Sequence, residues 1–461
     1  MLNDPELIKD LELLEKKGFD RRKFLKIMAS AGVLSLIGSS NTKAFASSSK
    51  AKGKIVIVGG GAAGLSMAAR LVKWLDDPDI TLIDPSDRQF YQPGFTLIAS
   101  GVYKPDEVWK KQEDCIPEGV KWIKDSVVSV NPEKNTVRTA GNGNVNYDFL
   151  VMVPGIKLRW ERVEGIDYNN LGAGNAHCIY DFNGAQKTWT AMQEFAQKGG
   201  HGIFTDTYTK HKCGGAPKKI CLLTEHRSRM NEAREKLSFQ YYTASKQLYD
   251  VPFFTPRLEE IFRERNVPVQ TRTRITGVDT QAKKAYLEKR EMIGDKEIVT
   301  PFTEDYDFLH FLPPMTTPDF VKEAGLGYPD GKYAADGWIM VDKETLIHKK
   351  YPNIVSLGDA AGIPTSKTSA AVRMQVPVAA RNLISLMEGK EPQVKYNGYA
   401  ACPIITDYGH VLLAEFDYNK KECITFPFSL LDMSKEQAAA WFLKVYILKP
   451  LYFYGMLNGL A

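Results

Sequence analysis

The stretch Lys54-Ile-Val-Ile-Val-Gly-Gly-Gly-Ala-Ala-Gly-Leu65 decides the fold, because a short apolar strand runs directly into a turn rich in glycine. Gly59 allows the tight turn, Gly61 lets backbone N–H groups approach a pyrophosphate, and Gly64 lets the next helix pack close to the strand. This spacing predicts a dinucleotide site at the end of the first strand of an α/β domain.

The sequence around the glycine turn supports this interpretation. The run 65–75 favours a helix, and a second strand, Ile80-Thr-Leu-Ile-Asp84, ends in an acid about 20 residues past the last glycine, where a ribose hydroxyl needs an acceptor. The alternative is a chance glycine-rich turn. That alternative gives no reason for a strand, a helix and an acidic residue to appear in this order.

Composition narrows the class of protein. The chain has 461 residues, 44% of them hydrophobic and 25% charged, which predicts two or three globular domains. A net charge of +5 is small for this length and gives no indication of nucleic-acid binding. The six cysteines form no C-x-x-C pair, and the histidines lack metal-ligand spacing, so we expect neither a zinc site nor a covalently attached haem.

The N-terminus has the features of a targeting segment. Asp20-Arg-Arg-Lys-Phe-Leu-Lys26 precedes a modest apolar stretch, residues 27–37, and then Ala44-Phe-Ala46. This resembles a twin-arginine export signal with a small-residue cleavage site, so residues 1–46 are excluded from the fold and a periplasmic location follows. The alternative is a cytosolic amphipathic helix.

Two further strands indicate that the first domain is discontinuous. Tyr147-Asp-Phe-Leu-Val-Met-Val-Pro-Gly155 is a buried strand that ends in a turn, and Tyr351-Pro-Asn-Ile-Val-Ser-Leu-Gly-Asp359 is another. We therefore assign residues 54–155 and 335–395 to the first dinucleotide-binding domain. In flavoproteins of the two-dinucleotide-domain type, such a returning strand brings an Asp to the flavin.

The middle region, residues 156–334, should form a second domain of the same kind. Its first strand is predicted at Gly202-Ile-Phe-Thr205, but the turn that follows, residues 206–217, contains no G-x-G-x-x-G. Without that fingerprint we expect no tightly bound nicotinamide dinucleotide.

The C-terminal region, residues 396–461, ends in a segment dense in aromatic residues. The run from Trp441 to Leu457 carries two lysines and is interrupted by Pro450, so it is too broken to span a bilayer. Aromatic residues with lysines at one edge favour a segment that lies in the membrane interface. The alternative is a helix pair that packs in the core or at a dimer interface.

The whole pattern resembles the sulfide:quinone oxidoreductase family, in particular the subgroup that includes the mitochondrial enzyme. The resemblance covers about residues 54–457. The matching motifs occur in order along the chain and are together far more specific than any one of them: they are Pro85-Ser-Asp-Arg-Gln-Phe-Tyr-Gln-Pro93, Lys212-Cys-Gly-Gly-Ala-Pro-Lys218, Leu312-Pro-Pro-Met315, Val341-Asp-Lys-Glu-Thr-Leu346, Pro364-Thr-Ser-Lys-Thr368, Cys402-Pro403 and Leu413-Ala-Glu-Phe-Asp-Tyr418.

This resemblance implies a glutathione-reductase-like flavoprotein with two Rossmann-like domains and a C-terminal membrane-associating segment. It implies a non-covalent FAD, a quinone acceptor, a monotopic attachment to the membrane, and sulfide as the electron donor. By the same resemblance Asp84 binds the FAD ribose, Gln92 and Val127 line the FAD, and Gly358 and Asp359 lie on its ribityl-pyrophosphate side.

Cys213 is the predicted flavin-facing nucleophile. It precedes Gly214-Gly-Ala-Pro217, which should open a helix over residues 218–225, and a helix N-terminus together with neighbouring lysines favours a thiolate. A thiolate held near a flavin can pass two electrons to it. On the residues alone, a buried inert cysteine is the alternative.

The sequence departs from the family at one position. The family normally has a second redox cysteine just after the Gly-Asp of the returning strand, and here that position is Ala360. Cys402 belongs to a Cys-Pro motif that the resemblance does not assign as the redox partner. We therefore consider that another thiol substitutes, that Cys213 works alone, or that sulfide oxidation has been lost.

Two charged residues match family positions near the active cavity. Glu225 and Lys367 are predicted to handle protons there, and a structural ion pair is the alternative for each. The leading hypothesis is a periplasmic FAD oxidoreductase, attached peripherally to the inner membrane, that moves electrons from sulfide or another sulfur species to quinone. Competing hypotheses are electron delivery to a separate cytochrome and a non-catalytic flavin- and sulfur-binding protein. The sequence leaves the oligomeric state open, a homo-oligomer included.

Overall fold

The computed structural model describes residues 4–20, 23 and 48–461, and two five-stranded parallel sheets form its centre. In the first sheet, the strand before the glycine turn is central. Its apolar residues are buried, as is usual for a parallel sheet covered by helices. In spatial order the strands are β20 (Ile354–Val355), β9 (Phe149–Met152), β1 (Lys54–Val58), β2 (Asp79–Ile83) and β5 (Lys121–Ile123).

The strand β20 reaches the first sheet from far along the chain. It runs parallel to β9, with Ile354 beside Leu150 and Val355 beside Val151. The first sheet is therefore completed only after the chain has built the second sheet.

The second parallel sheet is centred on β12 (Gly200–Thr205), which contains the strand predicted over residues 202–205. All the neighbouring strands in this sheet run parallel to each other. The predicted α/β class with two Rossmann-like units is thus confirmed. The other four strands are β11 (Ala176–His177), β13 (Leu237–Tyr242), β14 (Val269–Gln270) and β18 (Phe308–His310).

The other strands of the described chain pair antiparallel in small sheets around the two parallel ones. They are β3 (Arg88–Phe90) with β4 (Trp109–Lys111); β6 (Val127–Asn131), β7 (Thr136–Thr139) and β8 (Asn144–Asn146); β10 (Lys157–Leu158) with β19 (Met315–Thr316); β15 (Thr273–Asp279), β16 (Lys284–Ile293) and β17 (Lys296–Asp305); and β21 (Ala400–Asp407) with β22 (His410–Phe416).

Helices cover the parallel sheets and position the ends of their strands. The helix after the glycine turn buries small and apolar residues along most of its length, which lets it lie close to β1. The helices are α1 (Pro5–Lys16), α2 (Ala62–Trp74), α3 (Phe95–Ile98), α4 (Phe182–Lys198), α5 (Ala216–Met230), α6 (Thr255–Glu264), α7 (Asp319–Glu323), α8 (Ser369–Met387) and α9 (Ala438–Phe442).

After α9 the chain stays helical to Met456 through wide, π-type turns, with Pro450 inside this C-terminal helical segment, residues 438–456. One face packs on the protein, where the Tyr452 hydroxyl donates to the carbonyl of Phe90 at 3.1 Å. The other face leaves Tyr446 and Tyr454 exposed by 43% and 60%. Within the described residues, no helix has both the length and the apolar character needed to cross a bilayer.

The helix α1 falls inside residues 1–46, which we expected to lie outside the fold. The structure instead packs it onto the C-terminal region. Its buried face consists of Leu7, Leu11 and Leu14, and the Asp10 carboxylate accepts a hydrogen bond of 2.8 Å from the backbone N–H of Ala439 in the first turn of α9. The predicted twin-arginine pair, the apolar stretch 27–37 and the cleavage site at residue 46 lie outside the described residues.

Candidate active site

A single continuous cavity connects the glycine turn of the first sheet, the loop of Cys213 and the C-terminal helical segment. Carboxyl ends of parallel strands commonly form such ligand sites. Most of the predicted site residues line it. Those are Gly59, Gly61, Asp84, Gln92, Cys213, Asp359 and Lys367.

The glycine turn leaves room that fits the pyrophosphate of a dinucleotide. Gly59 has a φ of +105°, and a Cβ there would overlap the carbonyl of Val153. A Cβ at Gly64 would overlap the carbonyl of Gly59, whereas a Cβ at Gly61 would meet no atom within 4 Å. No side chain caps the N-terminus of α2, so its backbone N–H groups remain available to an anion.

Asp84 holds the glycine turn in place through hydrogen bonds to the backbone. Its carboxylate accepts hydrogen bonds from the backbone N–H of Gly60 at 2.6 Å and of Ser86 at 2.8 Å. Burial raises the pKa of Asp84, and these two N–H groups oppose that effect. The Gln112 amide donates to the carbonyl of Gly60 at 2.8 Å, while its own carbonyl oxygen is buried and has no partner. This unpaired acceptor on the cavity wall fits a hydroxyl or N–H donor of a bound cofactor.

Within the cavity, Lys212 interacts with both Gln92 and Asp359. The Lys212 ammonium donates to the side-chain carbonyl of Gln92 at 2.6 Å. Burial raises the pKa of Asp359, although Lys212 and Lys367 act in the opposite direction. Asp359 lies in a tight turn whose first residue, Gly358, has a φ of +69°, which favours glycine at that position.

Cys213 lies just before α5, as predicted, and its backbone is in the left-handed region with a φ of +48°. Its N–H donates to the carbonyl of Lys367 at 2.9 Å, and its carbonyl accepts from the Tyr180 hydroxyl at 2.9 Å. A non-glycine residue in this conformation is strained, so these contacts must hold it in place. They direct the side chain toward the cavity.

The sulfur of Cys213 has two close neighbours. The Sγ of Cys402 in β21 lies 3.9 Å away, and the Lys219 ammonium lies 3.4 Å away. The Cys402 thiol, followed by the charges of Lys219 and Lys444, holds the pKa of Cys213 well below its ordinary value despite burial. The same coupling raises the pKa of Cys402, so the first proton leaves Cys213.

Further titratable groups surround this pair from other elements. Burial and the nearby Lys219 lower the pKa of Lys444 to about 7, and its ammonium donates to the carbonyl of Pro93 at 2.9 Å. The other groups that interact electrostatically with Cys213 are Tyr91, Tyr180, Lys212, Tyr249 and Asp359.

The structure changes the interpretation of Ala360 and Cys402. Ala360 is fully buried, does not line the cavity, and its carbonyl accepts from the N–H of Ile339. Cys402, which we had not assigned as a partner, lies directly behind Cys213. A Cβ at Gly215 would lie 2.5 Å from the Cys402 sulfur, so this glycine makes the close approach of the two cysteines feasible.

Lys367 is buried and lines the cavity. Its ammonium donates to the carbonyl of Ala361 at 2.9 Å and lies 4.0 Å from the ring centre of Trp338. Burial lowers its pKa to about 7, so this group can hold or release a proton near neutral pH.

Four predicted residues do not line the cavity: Gly64 and Gly358 are each next to a lining residue, whereas Glu225 and Val127 are not. Glu225 is buried in an ion-pair cluster with Arg229 at 3.0 Å and Arg234 at 3.2 Å, which is the structural alternative weighed above. It lies nine residues into α5, so the helix rise carries it about 14 Å from the first turn. Val127 begins β6 outside the cavity lining, and its contact with FAD stays a prediction.

Sequence reasoning missed Cys402, Lys219 and Lys444. Lys219 follows Lys218, yet the two side chains point about 100° apart on the helix, and only Lys219 faces the cysteine. Lys444 was treated as an edge charge of an interfacial segment but is 1% exposed. Gly215 was the feature of the sequence that could have indicated a close neighbour of Cys213.

Within the described residues, no group of three or more His, Cys, Asp or Glu side chains has a metal-binding arrangement.

Comparison with known proteins finds a matching family model and similar proteins. A family model described as pyridine nucleotide-disulphide oxidoreductase matches residues 53–198. The mitochondrial sulfide:quinone oxidoreductase of Mus musculus is 36% identical over 410 residues, which cover 88% of this chain and 86% of that protein. The mitochondrial sulfide:quinone oxidoreductase of Dictyostelium discoideum is 37% identical over 407 residues, with the same two coverages, 88% and 86%.

A solved structure shares the fold. The sulfide:quinone oxidoreductase from the hyperthermophilic bacterium Aquifex aeolicus has a TM-score of 0.72 at 20% identity, covering 89% of this chain and 92% of that chain. The sequence identities with the mouse and Dictyostelium proteins extend over nearly the whole chain and confirm the resemblance predicted from the motifs. The chain therefore belongs to the sulfide:quinone oxidoreductase family of oxidoreductase enzymes.

Proposed function

We propose that this protein is an FAD-dependent oxidoreductase that moves electrons from sulfide to a quinone, with Cys213 and Cys402 as its redox pair. The observation that supports this best is the 3.9 Å separation of the two sulfur atoms beside the cavity that contains the glycine turn. The family membership of the chain supports the same activity. A cysteine at position 360 is not required for this arrangement.

The first domain supplies the residues that hold FAD. The glycine turn and the N-terminus of α2 would receive the pyrophosphate, and Asp84 and Gln112 would face the ribose end. Gln92 would line the cofactor, and Asp359 would lie on its ribityl-pyrophosphate side. When bound, FAD accepts two electrons from the sulfur chemistry and passes them to the quinone.

The two cysteines divide the sulfur chemistry because the pKa of Cys213 is lowered and that of Cys402 is raised, so Cys213 is the better leaving group. In the oxidised enzyme they form a disulfide, and hydrosulfide attacks the Cys402 sulfur. The S–S bond breaks, Cys402 becomes a persulfide, and Cys213 leaves as a thiolate. Lys219, at 3.4 Å, stabilises that negative charge.

Reformation of the disulfide releases the electrons. A nucleophilic acceptor removes the outer sulfur of the persulfide, which leaves both cysteines as thiols or thiolates. When their S–S bond forms again, the two cysteines give up two electrons and two protons, which bound FAD would accept and pass on to reduce the quinone to quinol. Cys213 lines the cavity and Cys402 lies behind it, so Cys213 is the cysteine that would face a bound flavin.

The quinone side of the cavity is its apolar C-terminal wall. Leu443, Ile447 and Leu448 line it, together with Tyr452 and Phe428. An apolar wall that continues into a helix with exposed tyrosines suits entry of a lipid-soluble acceptor from a membrane surface. We therefore propose peripheral, monotopic attachment through the C-terminal helical segment.

Periplasmic export is part of the same proposal and rests on Arg21 and Arg22. Cleavage near Ala46 would also remove α1, whose Asp10 caps α9. N-terminal sequencing of the purified protein tests the cleavage, and replacement of both arginines by lysine tests the route. Unprocessed cytoplasmic protein in the double variant supports export, and normal export of that variant rejects it.

The function is tested by turnover of the FAD-loaded enzyme with sulfide and a soluble quinone. We expect Cys213→Ser and Cys402→Ser each to abolish turnover while FAD remains bound, because a serine hydroxyl stays protonated and cannot form the disulfide. Cys423→Ser is the matched control, since Cys423 lies outside the cavity.

Three other results would each favour a different mechanism or function. Full activity in Cys402→Ser would reject the cysteine pair and favour Cys213 acting alone. Flavin reduction by sulfide without quinone turnover, but with reoxidation by a cytochrome fraction, would favour a separate cytochrome acceptor. No flavin reduction by sulfide in the parent protein would favour a non-catalytic role.

A further inference from the structure

The end of β12 is the position at which a second dinucleotide would bind in a domain of this fold. A buried pair of charges occupies it instead. Asp206 directly follows β12 and is 2% exposed, and Lys218, in the first turn of α5, is 3% exposed. The Lys218 ammonium and the Asp206 carboxylate are 3.4 Å apart.

Asp206 is held rigidly by the neighbouring strand end. Its carboxylate accepts hydrogen bonds from the Thr243 hydroxyl at 2.7 Å and from the backbone N–H of Ala244 at 2.9 Å. With the Lys218 contact, the carboxylate therefore has three partners, as a buried carboxylate needs. This makes Asp206 a fixed point for Lys218.

Lys218 connects that fixed point to the cysteine loop. Its ammonium donates to the carbonyl of Gly214 at 3.1 Å and to the Tyr241 hydroxyl at 3.2 Å, in addition to Asp206. An ammonium has three donors, and all three are used here. The Gly214 carbonyl belongs to the residue directly after Cys213.

We infer that Lys218, held by Asp206, is a positioning residue for Cys213: by fixing the carbonyl of Gly214 it keeps the cysteine in the left-handed conformation that places its sulfur beside Cys402 and Lys219. The inference rests on the proposed role of Cys213. Since a cysteine with a φ of +48° is strained, loss of this anchor lets the loop relax and moves the sulfur away from its neighbours.

Lys218 acts through geometry, not through its own charge at the sulfur. The cations that interact with Cys213 most strongly are Lys219 and Lys444, and Lys218 points to the opposite side of the loop. The predicted consequence is therefore a change in the thiolate character of Cys213 with Lys219 and Lys444 left in place.

The experiment measures the alkylation rate of Cys213 by iodoacetamide between pH 6 and 9 on the reduced, FAD-loaded protein, with quantification by peptide mass spectrometry. The main variant is Asp206→Asn with Lys218→Met, which avoids a buried unpaired charge. We expect its profile to move upward by about one pH unit, so that alkylation near neutral pH slows about tenfold. Lys218→Arg, which keeps the charge and the donors, should retain most of the parent rate.

Cys423 serves as an internal control, because its alkylation should not change. Thr243→Val is a milder variant, which removes one hydrogen bond to Asp206 and leaves both charges, and it should shift the Cys213 profile in the same direction by a smaller amount. An unchanged Cys213 profile in either FAD-loaded variant would overturn the inference, as would an equal change at Cys423. Because alkylation requires no turnover, this result is independent of whether Cys213→Ser abolishes the proposed activity.

Discussion

The central strands of the two parallel sheets, β1 and β12, end in turns that serve opposite purposes. After β1, three glycines keep side chains out of the turn and leave space for a phosphate group. After β12, the corresponding space is filled by Asp206 and Lys218, and the chain goes on to Cys213. The same fold can therefore use the turn after its central strand in two ways. An open turn leaves room for a cofactor, and a turn filled by a buried charge pair positions a nucleophile.

The strongest test of the open turn is Gly64→Ala. The added Cβ would overlap the carbonyl of Gly59, so the backbone of β1 or α2 must move, at a cost of about 3 kcal/mol or more. We expect the variant to lose FAD and to unfold at a lower temperature, as measured by bound flavin and thermal denaturation. Retention of stoichiometric FAD and an unchanged melting temperature would contradict the role of this glycine.

Gly61→Ala separates the cofactor from the fold at the same turn. Gly61 has an ordinary φ of −75°, and its Cβ would project into the open cavity. We expect the apoprotein to keep its melting temperature, while FAD binds about tenfold more weakly because the methyl group takes space from the pyrophosphate. Titration of the apoprotein with FAD, followed by flavin fluorescence, measures this. Equal affinity would show that the pyrophosphate lies elsewhere.

Lys444→Met tests the charges that surround the cysteine at the filled turn. Burial lowers the pKa of Lys444 to about 7 from its ordinary 10.5, so between these values the unfolded chain binds the proton and the folded protein does not. The stability of the parent therefore rises with pH across that window. We expect the variant to lose this part of the rise and to be relatively more stable below pH 7. Parallel melting curves for the two proteins against pH would contradict the prediction.

Ala360→Cys is expected to have the smallest effect. The family normally has a redox cysteine at this position, but here the side chain is fully buried and does not line the cavity. Turnover with sulfide and quinone should therefore stay within about twofold of the parent, and a small loss of stability is expected from the larger side chain. A clear gain in turnover would restore residue 360 as a redox position.

The sequence by itself determined the features that depend on neighbours along the chain. The spacing of Gly59, Gly61 and Gly64 is a property of one backbone turn, and the strand before it and the helix after it follow from local hydrophobic patterning. The start of α5 behind Cys213 was predicted to within two residues for the same reason.

Only the tertiary structure decided which side chains meet at the site. Cys402 is 189 residues from Cys213, and Lys444 lies in a segment that the sequence assigned to the membrane surface. Glu225 and Lys219 belong to the same helix, yet its rise and rotation carry one into an arginine cluster and the other to the cysteine. Spacing along the chain fixes local geometry, but burial, charge pairing and thiolate character depend on segments that the fold brings together.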